Sequence, residues 1–201
     1  MTAALLASIL ATGFALGVIH AFDPDHLMTI SALSARADSH RATLRHAAMW
    51  ALGHGGLLIG VASAVMLLGW TLPAALPAGA ERSVGAILIV AGLSAVWLRH
   101  PPHTHRAGLR ERAPFAVGLI HGLAGSAAML ALLPATLYGP LAGLAYAAIF
   151  SGGVLVGMMG FGLVLAGLQQ RIGREAPKVH RFGQVATGLG AIGMGVHWLT
   201  A

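Results

Sequence analysis

The chain contains no cysteine, one lysine and few charges of either sign: 9% of its 201 residues are Asp, Glu, Lys or Arg. A soluble domain carries roughly a quarter charged residues, so water cannot solvate most of this surface. Absence of cysteine excludes disulfides, thiolate metal sites and a thiol relay. Acidic residues number 6 against 12 basic ones, and none lies between Arg112 and Arg174. What is abundant is apolar: 57% of the chain is hydrophobic, with 28 Gly. These proportions predict an all-α polytopic membrane protein in a cell inner (plasma) membrane, with the lipid bilayer as its main neighbour.

Apolar runs of spanning length lie at 3–22, 45–69, 82–98, 114–137, 140–168 and 182–199. Each is near the roughly 20 residues that one bilayer crossing needs, which predicts six transmembrane helices. The first run has no basic n-region and leads straight into charged residues, so it is expected to stay as a span rather than be cleaved. Gly13/Gly17, Gly56/Gly60 and Gly153/Gly157 have the GxxxG spacing that lets helices approach closely.

Basic residues alternate with the runs. Arg36, Arg41 and Arg45 follow the first, Arg99, Arg106, Arg110 and Arg112 the third, and Arg171, Arg174, Lys178 and Arg181 the fifth, leaving only Arg82 on the other side. The positive-inside rule then puts both termini on the non-cytoplasmic side. A nucleic-acid partner would not require this alternation and is not expected.

An internal repeat underlies the runs. Gly17-Val18-Ile19-His20 reads against Gly118-Leu119-Ile120-His121 at an offset of 101, and Gly55–Gly60 against Gly152–Gly157 at 97. Gly92–Leu98 reads against Gly193–Leu199 at 101. Three crossings per half make the second half enter from the opposite side. The expectation is two inverted three-helix repeats, 1–98 and 114–201, joined by a cytoplasmic His/Arg loop at 99–113 within one transmembrane domain. Inverted repeats are a transporter arrangement.

The chemistry concentrates in His20-Ala21-Phe22-Asp23-Pro24-Asp25-His26. Each Asp near the bilayer centre costs about 2.5–3.5 kcal/mol on insertion scales, so it needs a partner. Pro24 has no N–H to give the His20 carbonyl, which predicts a first helix broken at Asp23-Pro24, with Asp23 as the N-cap of the resumed helix. Imidazoles plus carboxylate oxygens suit borderline divalent ions such as nickel, cobalt or zinc. A plain interfacial helix end, with the imidazoles facing headgroups, is the alternative. His54 lies deep in the second run among Gly53, Gly55 and Gly56, where an imidazole needs a ligand or a hydrogen-bond partner. His121 is either a second-half ligand or a structural hydrogen-bonder. His100, His103 and His105 form a loop cluster that either collects ions or is merely solvated. His197 is expected at an interface.

His20-x-x-x-x-Asp25-His26 followed by Leu52-Gly53-His54 resembles the two leading signatures of the nickel/cobalt transporter family. His121-Gly122-Leu123-Ala124-Gly125-Ser126-Ala127-Ala128 is similar to the UreH-like branch of nickel-transport-related membrane proteins. The acidic signature that typical permeases of the family carry in later helices has no counterpart here.

The resemblance implies a permease moving Ni2+ or Co2+ through an intramembrane site of His20, Asp25, His26 and His54. Asp23 would be a ligand or an orienter, and His121 would face them from the other half. No catalytic activity, organic cofactor or P-loop is expected. The rival readings are a membrane-embedded metalloenzyme and a non-transporting metal-binding accessory protein for nickel-enzyme assembly. Possible partners are a second copy of the chain or nickel-enzyme maturation proteins.

Overall fold

A computed structural model describes residues 3–35, 37, 39–70, 73, 75–97, 107–124 and 139–200. Among them there are seven helices and no strand. They are α1 (Ala3–His20), α2 (Pro24–Ser34), α3 (His40–Leu68), α4 (Ala75–Trp97), α5 (Ala107–Ala124), α6 (Pro140–Glu175) and α7 (Pro177–Thr200). The His100, His103 and His105 cluster, the end of the 114–137 run and the Ser126 segment of the third motif lie outside the described residues.

Three helices, α3, α4 and α6, are each long and apolar enough to cross a membrane. A fourth span results if α1 and α2, bent by 55°, are taken together. Ile19, Leu68, Val90, Trp97, Leu141 and Phe182 are all more than 60% exposed, a surface suited to lipid. The chain is a multi-pass membrane protein.

Local chemistry sets the helix limits. Ser39 caps α3, its Oγ accepting from the Ala42 N–H at 3.2 Å. Gly69 ends α3 in the left-handed conformation, at φ 64°, where a Cβ would be strained. The 82–98 run begins seven residues earlier than expected, at Ala75. The basic stretch at 169–181 is helical rather than a loop. α6 runs through Arg171 and Arg174 to Glu175, and only Ala176 separates it from α7. Its 36 residues span about 54 Å at 1.5 Å per residue, longer than the roughly 30 Å hydrocarbon core of a bilayer.

Packing joins the two ends of the chain. α1 lies against α6, α3 against α5 and α6, and α4 against α5 and α7, while α2 sits between α4 and α7. Glycines make the close crossings. A Cβ on Gly17 would strike the Phe150 carbonyl, and one on Gly118 the Trp50 carbonyl. A Cβ on Gly153 would strike the carbonyl of Phe14, and one on Gly53 that of Phe115. Gly85 and Gly195 abut each other's carbonyls, as do Gly92 and Gly188. Of the three GxxxG pairs, Gly13/Gly17 and Gly153/Gly157 serve these contacts. Gly56/Gly60 does not: a Cβ at either would meet nothing within 4 Å, because that face of α3 turns away from α5 and α6.

α2 ends inside the bundle, and its last carbonyls are satisfied from the far end of the chain. Gln169 Nε2 donates to the Ser34 carbonyl at 3.3 Å, and Gln184 Nε2 to the Ala35 carbonyl at 2.6 Å. Without such donors a helix terminus away from water would leave orphan acceptors.

Candidate metal centre at the helix break

The turn between α1 and α2 follows from Pro24. The His20 carbonyl, denied a proline N–H, accepts from the Asp23 N–H at 3.1 Å, and Phe22 N–H bonds the Ile19 carbonyl at 2.9 Å. Leu27 N–H then bonds the Asp23 carbonyl at 3.1 Å and opens α2. Asp23 occupies the N-cap position, but its side chain makes no cap hydrogen bond. Its Oδ2 lies instead 2.7 Å from His20 Nδ1. The imidazole outcompetes the backbone N–H because it is the better donor to a carboxylate only partly screened by water, and Asp23 is half exposed.

This pairing leaves His20 Nε2 buried and without a hydrogen-bond partner. A carboxylate that holds one nitrogen of an imidazole while the other is free is the arrangement that orients metal-ligating histidines. His26 enters from the first turn of α2 and is 2% exposed, with Nδ1 also unpartnered. His54 enters from the middle of α3 at 0% exposure, and neither of its ring nitrogens has a partner. A buried imidazole with both nitrogens unsatisfied costs several kcal/mol and needs an explanation of its own.

The rings of His20, His26 and His54 surround one point, with centroids 4.6 Å (His20–His26), 5.1 Å (His26–His54) and 5.5 Å (His20–His54) apart. Each offers a ligand atom within 4.8 Å of the others. Asp25, His26 and His121 form a second such group. His121 arrives in the last turn of α5, 2% exposed, with Nε2 3.0 Å from Asp25 Oδ2. Asp25 Oδ2 is also 3.9 Å from His26 Nε2, and the Asp25 carbonyl accepts from Thr29 Oγ1 at 2.7 Å.

Five of the six expected ligands therefore contribute to the two groups, and the sixth, Asp23, holds His20. His197 lies apart, exposed near the end of α7. Trp50 is the participant to which the sequence assigned no role. Its buried ring stacks on His54 at 5.0 Å and 19°, and meets His26 at 4.8 Å and His121 at 5.3 Å edge-on. Its spacing signals this, since residues four apart share a helix face. The indole N–H donates and cannot ligate a cation, so Trp50 shapes the wall and excludes water.

The high-affinity nickel-transport protein family, NicO, matches residues 6–106, half of the chain, which includes the bend and His54 but not His121. Two relatives align along nearly all of it. The urease accessory protein UreH of Bacillus sp. (strain TB-90) is 28% identical over 210 residues, covering 96% of this chain and 91% of that protein. The chloroplast protein FOR GROWTH AND FERTILITY 2 of Arabidopsis thaliana is 26% identical over 204 residues, covering 92% of this chain but 54% of that protein, about half its length. No solved structure matches. The break between α1 and α2 and the imidazoles around it lie within the matched region, and the chain belongs to the high-affinity nickel-transport protein family.

Proposed function

We infer that the chain moves nickel or cobalt across a plasma membrane through the bend between α1 and α2, with His20, Asp25, His26 and His54 as ligands. Asp23 orients His20, and His121 reaches the site from α5. The observation that carries this reading is His54: an entirely buried imidazole with both nitrogens free, ringed by two more imidazoles with free nitrogens. Such a set is unsatisfied without a cation and suits a borderline divalent one.

Six crossings arranged as two inverted three-helix halves, with both termini outside the cytoplasm, complete this reading. The glycine contacts support the inverted relation. Gly17 on Phe150 and Gly118 on Trp50 interchange under shifts of 101 on the first helix of each half and 100 on the second. Gly153 on Phe14 and Gly53 on Phe115 interchange under the same two shifts. Gly85 with Gly195 and Gly188 with Gly92 interchange under a shift of 103. The second and third shifts differ from the 97 and 101 of the sequence blocks, because the interface glycines, not the longest runs of similar letters, are equivalent.

A second reading, delivery of nickel to the assembly of a nickel enzyme, is favoured by the likeness to a relative named as a urease accessory protein. Radiotracer 63Ni flux into proteoliposomes containing only this chain tests transport. Flux that His54→Ala abolishes is the expected result. Nickel binding without flux in either orientation would favour the accessory reading.

A further inference from the structure

The donor atoms at the bend form two groups with one common member. His20, His26 and His54 make the first, and Asp25, His26 and His121 the second. The groups differ in charge and in origin. The first is three imidazoles from α1, α2 and α3, whereas the second has a carboxylate and draws His121 from α5. A neutral imidazole has a single lone pair free for a ligand bond, so His26 serves one group at a time. The groups also differ in readiness. Free nitrogens of His20, His26 and His54 line the first, while in the second Asp25 Oδ2 already holds His121 Nε2 at 3.0 Å.

We propose that the bend holds two mutually exclusive ion positions sharing His26: an all-imidazole position of His20, His26 and His54, and a carboxylate position of Asp25, His26 and His121. The proposal rests on the reading of a divalent ion as cargo, but divides the ligands of that reading between two positions that the ion occupies in turn instead of gathering them around it at once. In the first position the ion leaves the Asp25–His121 hydrogen bond intact. Passage to the second releases His20 and His54 and breaks that bond. In the second position Nε2 must bring its lone pair to the ion, so the neutral ring then carries its one proton on Nδ1, which is buried and without a partner. Nitrogens in a tetrahedral site with bonds of 2.0–2.1 Å lie about 3.4 Å apart. The donor atoms of each group already lie within 4.8 Å of one another, so small shifts seat an ion; in the second, Asp25 Oδ2 and His121 Nε2, 3.0 Å apart, must part slightly to admit it, which moves α5 relative to α2. Transfer of the ion is in this way coupled to the relative position of α2 and α5, one from each half of the chain.

The test uses Co2+ as the probe on the purified whole chain in detergent, with stoichiometry from equilibrium dialysis and coordination from X-ray absorption. Wild type is expected to bind one Co2+. His54→Gln and His121→Gln should each still bind one, within about tenfold of wild-type affinity, while His54→Gln/His121→Gln should lose on the order of 100-fold or more. Coordination should be imidazole without carboxylate in His121→Gln and include a carboxylate oxygen in His54→Gln. Where a glutamine variant does not run as a monodisperse peak, the asparagine variant takes its place. Two Co2+ per wild-type chain, identical coordination in the two single variants, or a single variant as weak as the double one would overturn the proposal. Wild-type affinity retained by His26→Gln would instead reject ion binding at the bend altogether.

Discussion

A carboxylate among imidazoles has a role that no imidazole can replace. Neutral rings supply lone pairs but no charge, and in a site as dry as this one an ion of charge +2 needs an anion close by. Asp25 is the acidic group placed for this, 15% exposed and touching two of the imidazoles, whereas Asp23 faces water more and is paired with His20. Asp25→Asn keeps the shape and removes the charge. Nickel uptake is expected to fall as deeply in Asp25→Asn as in His54→Ala, by about 10-fold or more. His103→Ala and His105→Ala serve as controls, with uptake expected near wild type. Uptake near wild type in Asp25→Asn would show that the ion crosses without the carboxylate. At this scale the sequence was legible in kind but not in role. Two Asp and two His within seven residues announce a site, yet Asp23 could equally cap α2 or hold an imidazole, and only the 2.7 Å approach to His20 separates these.

Helices meet here through glycine, and burial rather than motif decides which glycines matter. Gly53, Gly118, Gly17 and Gly153 each press on a carbonyl of a crossing helix, where an added methyl group has no room and the backbones would have to part. Gly53→Ala and Gly118→Ala are expected to destabilise the protein by about 1–3 kcal/mol each and lower its melting midpoint in detergent. Gly56→Ala and Gly60→Ala, facing open space, should leave the midpoint unchanged or raise it slightly, because Ala favours helix by about 1 kcal/mol over Gly. Equal midpoints for all four variants would mean that the crossings are looser than these contacts. The elements themselves were largely legible. Pro24 breaks the first helix where its missing N–H requires, and α1, α3, α4, α6 and α7 fall on five of the six apolar runs. Their ends were less so, since α6 continues through charged residues that hydropathy assigns to a loop.

Across the whole molecule, the basic residues decide orientation. Eleven of the twelve Lys and Arg lie after the first, third and fifth apolar runs, which predicts that 99–113 and the α6–α7 junction face the cytoplasm. The absence of native cysteine makes this simple to examine. A cysteine placed at Thr104 is expected to react with an impermeant maleimide only after the cells are opened, and one at Thr200 in intact cells. The reverse pattern would invert the topology.

By itself the sequence determined the membrane class and the helix break, because these follow from hydropathy and from a proline's missing donor, both properties of neighbouring residues. The tertiary structure alone decided that His121 reaches Asp25 across 96 positions, that Trp50 walls the imidazoles, and that Gly53 rather than Gly56 touches α5. Helical periodicity assigns each side chain a face of its own helix but not the neighbour opposite that face. In a chain with 28 glycines many crossings are sterically open, and the one adopted is settled by how the whole bundle packs.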